Sequence, residues 1–378
     1  MPSTDHQLPT LGLLRDLTDR HVLAQLVASA ELTRAEIAAH TGISKPTVSE
    51  SVRRLTASGL LEEAGRQVGR RGPAGTYLRL RADVGVALAL SVGPDGVVVQ
   101  VHDLRGRQLD RITRTVRAPV RAARLNPVFL DAVASAVETA GAPVLGCALS
   151  LAGPVDLRTG RLVRLAYSPF VLDELNPRQL IGDLVGDLVV DNDVNWAAIA
   201  EHRQGAATDL DHFFYCFLGP GVGGALVVDG QVGHGGRGLA AELAHVLTSG
   251  PGGRALTLAT CLESWGLVRP RSHAVDLAAM ERVLTGTTVA DRRRRDAVVG
   301  AIAGALCSVT AVLNPQAVLI GGPWAGIGGL DQRVGELVGD RSAVEVEVRS
   351  AALAAEAPLI GTRIRAVELA QAALTREG

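Results

Sequence analysis

LTRAEIAAHTGISKPTVSESVRRLTASGLLEEAGRQVGRRGPAGTYLRL, residues 32–80, decides how this chain begins to fold. Thr33 followed three positions later by Glu36 forms a capping box, which predicts a short helix over 34–40 with Ile37 and Ala38 turned inward. Gly42 supplies the tight turn that follows. Ser44 then caps a second helix, and Pro46 is tolerated in its first turn because the missing N–H has no intrahelical partner there. Val48, Val52 and Leu55 fall at helical spacing on its inner side, leaving Lys45, Thr47, Ser49 and Glu50 outside.

After Gly59 the apolar pair Leu60-Leu61 and the alternating run Tyr77 to Leu80 predict a β-hairpin. Its tip carries Arg66, Arg70 and Arg71 among Gly65, Gly69, Gly72 and Gly75. Glycine lets backbone approach phosphate closely, and arginine neutralises it or reaches into a minor groove. A helix that enters a major groove about 12 Å wide must offer a narrow surface rich in hydrogen-bonding groups. Ser44, Lys45, Thr47, Ser49 and Arg53 supply one, and Lys45 is the only lysine in the chain. The pattern is a winged helix-turn-helix (α+β), and its partner is expected to be a double-stranded DNA operator. A helical protein-interaction module with a solvated loop is the plainer alternative.

The chain has 378 residues, enough for two or three domains, and its 47% hydrophobic and 20% charged content describes a globular protein with ample core. A net charge of −1 does not announce nucleic acid. Distribution says more: residues 1–80 hold ten Lys/Arg against eight Asp/Glu, and six of those cations lie in 51–80 with only Glu62 and Glu63 opposing them. DNA affinity must then come from local placement and dimerisation. Cys147, Cys216, Cys261 and Cys307 are too far apart for a metal motif or a disulfide framework. No signal peptide and no run of about twenty uncharged apolar residues is found, so a cytoplasmic protein without a membrane span is expected.

Beyond Asp83 the pattern changes. A buried strand is expected over 84–92, and further strands over 96–102, 106–116, 144–151, 188–190, 213–218, 225–228 and 317–320. Helices are expected over 130–139, 194–202, 297–313 and 359–374. Strand clusters followed by helices, given twice, predict two α/β lobes with a cleft between them. Arg292 to Arg295, flanked by Asp291 and Asp296, reads as a solvated face or loop.

This part resembles the ROK family (repressors, open reading frames and kinases). The resemblance is carried by LVVDNDVNWAAIAEH at 188–202, FLGPGVGGALVVDGQVGHGGRGLAAELAHV at 217–246, TCLE at 260–263 and LNPQAVLIGG at 313–322, in this order. It implies a winged helix-turn-helix at 1–80 and a two-lobed α/β, actin/hexokinase-like (ribonuclease H-like) domain at 81–378. The resemblance implies that Asp193 stands where the family's kinases keep their base. The phosphate loops depart from the family's pattern. Ser91-Val92-Gly93-Pro94-Asp95 replaces Asp-x-Gly-Gly-Thr, which removes an acid, removes an N–H at Pro94 and adds a negative charge at Asp95. Like charges at contact cost about 4 kcal/mol at an effective dielectric near 20. In the second loop Pro220 replaces a residue that carries a hydroxyl and an N–H. A Rossmann reading of Gly219, Gly221 and Gly224 fails, because a strand and not a helix follows. Asp193 is therefore expected to be a relic base, with no catalytic residue and no cofactor.

The resemblance maps sugar-binding groups onto Asn192, Asp193, Glu242, His245 and Glu263. Carboxylates and amides take vicinal hydroxyls two at a time. Glu242 and His245, three apart, share a face on a helical turn. The family's structural zinc would use His245 and three cysteines; here only Cys261 remains, with Arg254 and Leu256 at the other two positions, so no zinc is expected. The loop 248–260 must then be held by packing, through Leu256 and Leu258. The expected function is a DNA-binding transcriptional regulator, a repressor, controlled by a sugar or sugar derivative, acting as a homodimer or a dimer of dimers. The alternatives are an active ROK sugar kinase with a DNA-binding domain, or a ligand-independent DNA-binding dimer.

Overall fold

The computed structural model describes residues 11–66, 75–163, 170–171, 173–270 and 272–374. Its first unit is built from α1 (Leu11–Ala28), β1 (Leu32–Thr33), α2 (Arg34–Thr41), α3 (Lys45–Ala57), β2 (Leu61–Arg66) and β3 (Thr76–Leu80). The capping box forms as the sequence requires: the Glu36 N–H donates to Thr33 Oγ1 at 3.3 Å, and the Thr33 N–H donates to Glu36 Oε2 at 2.8 Å. Gly42, at φ 71°, turns the chain, and Ser44 Oγ accepts from the Thr47 N–H to start α3. Ile37, Val48 and Val52 are fully buried against Leu26 of α1 and Leu78 of β3.

Periodicity does not give α1, because Asp16, Asp19 and Arg20 interrupt its apolar run. Asp19 is a tie and not a break. Its carboxylate accepts from Ser51 Oγ at 2.5 Å and from Arg54 Nε and Nη2 at 3.1 and 2.6 Å, fastening α1 to α3. β1, β3 and β2 form an antiparallel sheet in that order, which is the wing.

The remainder is one plan used twice. The first lobe holds β4 (Val86–Gly93), β5 (Gly96–His102), β6 (Gln108–Thr115), α4 (Ala122–Ala140), β7 (Val144–Leu151), β8 (Val155–Asp156), β9 (Arg161–Leu162), α5 (Pro177–Val185) and β10 (Leu188–Asn192). α6 (Asp193–Gln204) then leads into β11 (Phe213–Leu218), β12 (Val222–Val228), β13 (Gln231–Val232), β14 (Leu247–Ser249), β15 (Ala255–Thr257), α7 (Leu258–Ser264), α8 (Leu277–Thr285) and α9 (Val289–Leu313). β16 (Ala317–Gly321), α10 (Leu330–Arg341), β17 (Glu347–Ser350) and α11 (Ala357–Ala373) close the fold. The first sheet runs β10-β7-β4-β5-β6 and the second, followed from its corresponding edge, β17-β16-β11-β12-β13. In each sheet an antiparallel partner is followed on one side and parallel strands are added on the other. This duplicated order is the actin/hexokinase-like architecture.

The two faces of the first sheet are sorted by residue size. Leu88, Leu90 and Val92 of β4, with Cys147 and Leu149 of β7, pack with Phe129 of α4. Their neighbours Ala87 and Ala148 face Trp196 of α6 and Ala366 and Ala370 of α11. Glycine sets how near α11 comes. A Cβ on Gly146 would lie 2.2 Å from the Ala366 carbonyl oxygen, and one on Gly361 only 2.0 Å from that of Trp196. α11 is thus clamped onto both the first lobe and α6.

Several boundaries differ from the sequence expectation. α4 starts at Ala122, well before Leu130, because Asp173 Oδ2 accepts from the Ala122 N–H and Pro127 is carried inside the helix. α9 starts at Val289, where Thr288 and Asp291 form a second capping box. Arg292 to Arg295 therefore lie on a helix; Arg292, Arg293 and Arg294 are exposed, while Arg295 Nη1 donates to the carbonyls of Leu284 and Gly286. α9 is also long and apolar enough to cross a membrane by length and composition alone, which the absence of a twenty-residue uncharged run had concealed. Val298, Ile302 and Leu306 bury one side of it in the second lobe.

Candidate functional site

On the first unit, Ser44 at the N-cap of α3 and Lys45, Thr47 and Ser49 within it are exposed, while Val48 and Val52 are fully buried. Arg53 is exposed too, but its guanidinium is engaged: Nη2 and Nε donate to the two oxygens of Glu50 at 2.6 and 3.1 Å. The Arg53 cation is offset by Glu50 on the helix surface, so it enters an interface only by exchanging that partner. Arg66 ends β2. Its side chain lies outside the described residues, as do Arg70 and Arg71.

The cleft is built where β10 hands over to α6. Asn192 is the N-cap of α6, its Oδ1 accepting from the Val194 N–H at 2.8 Å, which leaves its Nδ2 for a ligand. Asp193 opens the helix, half-buried. A helix N-terminus favours a carboxylate, and the Val194 N–H donates to Asp193 Oδ1 at 3.0 Å. Burial outweighs both, and with the nearby Glu242 carboxylate pushes the Asp193 acid up to about 7. Glu242 is likewise pushed up to about 7 by burial. Both acids are thus held partly protonated near neutral pH, each chiefly by its own burial.

β12 brings Glu242 there. A Cβ on Gly223 would be 2.9 Å from Val194 Cγ2, and one on Gly224 would be 2.6 Å from the Ala241 carbonyl oxygen, so neither position admits a side chain. Ala241 sits at φ 65°, in the left-handed region where glycine carries no strain. Ala241→Gly is expected to raise stability by about 1 kcal/mol. A urea denaturation midpoint no higher than the wild type would contradict this reading of the turn.

Glu242 and His245 do share a helical turn, a tight 3₁₀ turn over Leu243–His245. His245 is exposed at its end, and Glu263 is exposed on α7, which packs against this turn. Asn192 and Asp193 are consecutive and the Glu242 carboxylate acts on Asp193, whereas His245 and Glu263 are exposed on the adjoining turn and on α7.

One feature of the cleft is absent from the sequence reading. Asp191, only 6% exposed, accepts from Asn195 Nδ2 at 2.8 Å and the Asn192 N–H at 2.7 Å on Oδ1. His234 Nε2 lies 2.7 Å from Oδ2. That bond raises the His234 imidazole above its ordinary range and ties the loop after β13 to the end of β10, across the lobes. The Asp191-Asn192-Asp193 run was the available signal; a buried acid beside a half-buried histidine far along the chain was not.

The two glycine turns are closed upon themselves. Gly93 pairs with Gly96 around Pro94 and Asp95. In the second turn the Gly219 N–H donates inward to the Gly221 carbonyl at 3.0 Å. The buried Trp324 indole N–H donates to the Gly219 carbonyl at 2.8 Å, and the Val275 N–H donates to that of Pro220 at 2.8 Å. The turn continues as a strand into β12, as expected. Nearby, β14 and β15 form a hairpin, and a Cβ on Gly250 would meet Leu256 Cδ1 at 2.8 Å and Cys261 Sγ at 3.1 Å. Leu258 is fully buried beneath it, so packing and the hairpin hold this loop. Among the described residues, no three metal-ligating side chains come together.

Comparison with known proteins places these features. The ROK family pattern matches residues 87–368, and a winged helix-turn-helix DNA-binding pattern matches residues 15–62. A bifunctional enzyme NanE/NanK of Brucella melitensis is 29% identical over 188 residues, 49% of this chain and 36% of its own length. A putative xylose repressor of a Caldicellulosiruptor species is 20% identical over 239 residues, 62% of this chain and 59% of its own. The chain thus spans about a third to three fifths of these relatives. The crystal structure of a ROK family transcriptional regulator, a homologue of the E. coli MLC protein, superposes with a TM-score of 0.68 at 16% identity, covering 96% of this chain and 98% of the other. That likeness establishes the fold from the winged helix-turn-helix through both lobes.

Proposed function

The chain belongs to the ROK family, and from that premise we propose that it is a sugar-responsive transcriptional repressor rather than a sugar kinase. The observation that carries the proposal is a capped second helix whose Ser44, Lys45, Thr47 and Ser49 all face solvent, on a chain that also keeps Asn192, Asp193 and Glu242 together in a cleft. The domains divide at about residue 80: a reading head at 1–80 takes an operator, and a sensor at 81–378 takes a sugar or sugar derivative. The likeness to a putative xylose repressor supports this reading. A DNA operator places the protein in the cytoplasm.

Loss of phosphoryl transfer follows from the two turns. A nucleotide's phosphates need inward-facing N–H donors and a metal held by acid groups. Here the Gly219 N–H is spent on Gly221, Pro220 has none, and Asp95 would repel phosphate. Asp193, Asn192 and Glu242 retain the groups that bind hydroxyls, and the exposed His245 and Glu263 would close over a ligand. A coupled ADP-release assay with D-glucose, D-xylose and N-acetylmannosamine is expected to give no turnover above background. Turnover at about 1–100 per second, the ordinary range for kinases, would sink the repressor-only reading.

The repressor acts as a homodimer whose α3 helices lie about 34 Å apart on a palindromic site. Lys45→Ala is expected to weaken specific operator binding by about 1–3 kcal/mol, roughly 5- to 150-fold. Arg53→Ala, whose cation Glu50 already offsets, should cost less than Lys45→Ala. Gel-shift titrations at one fixed salt concentration check both, and equal losses would mean that Arg53 leaves Glu50 for DNA.

A further inference from the structure

Helix α1 has no basic residue in its last turn. Its terminal carbonyls are met by a side chain from the other end of the molecule's logic: Arg105, in the turn between β5 and β6 of the sensor. Arg105 Nη2 donates to the Leu26 carbonyl at 3.2 Å and, in a short bond, to the Ser29 carbonyl. A cation on the last carbonyls is the ordinary way to finish a helix, and here it is supplied in trans.

The turn that carries Arg105 is itself fastened. The Asp103 carboxylate accepts from the Arg105 N–H at 3.0 Å, and Gln371 Nε2 of α11 donates to the Leu104 carbonyl at 2.7 Å. α11 lies against the backbone of Trp196 in α6, where Gly361 leaves no slack, and α6 begins at Asp193. On the other side, α1 holds α3 through Asp19, Ser51 and Arg54. Around Arg105 the packing is open. A cavity of about 700 Å³ separates α1 from the end of α11, lined by Leu23, Val27, Glu368, Gln371 and Leu374. Polar bonds rather than close packing therefore fix α1 on this side.

We propose that Arg105 is the positioning residue that couples the sugar cleft to the reading head. Movement of α6 on closure over a sugar carries α11 with it, shifts the Leu104-Arg105 turn, and re-aims α1 and with it α3. The open cavity gives α1 room to turn. This rests on the repressor reading above, and it adds the residue through which the two halves communicate.

Two measurements on the full chain test it. The first needs neither sugar nor operator. In Arg105→Ala the amides of residues 24–30 should exchange hydrogen about tenfold faster or more, with partial protection restored in Arg105→Lys. Unchanged exchange overturns the clamp whatever the protein's function.

The second is operator affinity, on a duplex selected with the wild-type protein, with and without D-glucose, D-xylose or N-acetylmannosamine. A typical coupling is about 5- to 150-fold in the wild type. In Arg105→Ala the ratio should fall below about twofold while calorimetric sugar affinity stays within about twofold of wild type. A variant that keeps the wild-type ratio overturns the proposal. Should Arg105→Ala not fold, Gln371→Ala frees the same turn and is expected to lower the ratio likewise. A wild type that binds operator yet ignores all three sugars counts against the repressor reading, and the exchange experiment still decides the clamp.

Discussion

Asp193→Asn is expected to bind sugar about 10- to 100-fold more weakly than the wild type while melting at a higher temperature at pH 8. The two effects share one cause. Asp193 is held at about 7 in the folded chain against an ordinary 3.8, because burial and Glu242 disfavour its charge. The folded state therefore binds a proton that the unfolded state has released. Its contribution to stability is complete below about pH 4 and is lost as pH rises through about 7. Glu242 acts in the same direction over the same window. Wild-type stability should fall between about pH 4 and 7 from these groups, and the asparagine variant should fall less steeply.

The full shift would correspond to about 4 kcal/mol at 1.36 kcal/mol per pKa unit, but Asp193 is only half-buried. Screening leaves an expected gain on the order of 1 kcal/mol at pH 8. The sugar loses a charge-assisted hydrogen bond, worth about 1.5–3 kcal/mol. Thermal melts at pH 5 and pH 8, with a sugar titration by calorimetry, check both halves. A variant that is destabilised at pH 8 would show that Asp193 is a structural anchor and not a strained ligand group.

Gly361→Val is expected to destabilise the chain by about 3 kcal/mol or more. In a helix, replacing glycine by alanine normally gains about 1 kcal/mol. At Gly361 that gain is overwhelmed, because a Cβ would sit 2.0 Å from the Trp196 carbonyl oxygen and a backbone atom cannot rotate aside. α11 must lift away from α6 or bend, and either disturbs the cleft at Asp193. Gly300 in α9 is the control, since a Cβ there meets nothing within 4 Å. Gly300→Ala should be neutral or stabilising by up to about 1 kcal/mol. Urea denaturation of the three proteins separates a steric effect at Gly361 from a general one, and equal stabilities would dismiss the clamp between α6 and α11.

The reading head was legible because each of its signals is local. Thr33 with Glu36, Gly42, Ser44 and the spacing of Val48, Val52 and Leu55 all act within a few residues, and all appear where expected. α1 was not legible, since the partner that makes Asp19 welcome lies 32 residues away at Ser51. Strand positions in the lobes followed from apolar runs, whereas α5, α7, α8, α10 and β17 did not stand out, because short half-exposed elements carry little periodicity. α4 starts earlier than the expected 130, since a distant Asp173 satisfies the helix end.

The cleft was partly legible. Asn192 and Asp193 follow a strand and Glu242 follows by family resemblance, and their mutual approach depends on two glycines of β12 that leave no room for side chains. His234 has no local signal at all; only the folded backbone sets it against Asp191. The closure of the Gly219 turn by Trp324, 105 residues later, is likewise a product of tertiary packing.

The clamping of α11 onto β4, β7 and α6 also dictates an order of assembly. A ribosome releases the first lobe with its small-residue face bare, and α11, which covers this face, begins about 165 residues after β10 ends. At roughly 5–20 residues per second, that face waits on the order of 10 s or more for its cover. Loss of α11 would leave the sheet of the first lobe without its lid, so a chain broken just before Ala357 is as damaged as one broken far upstream.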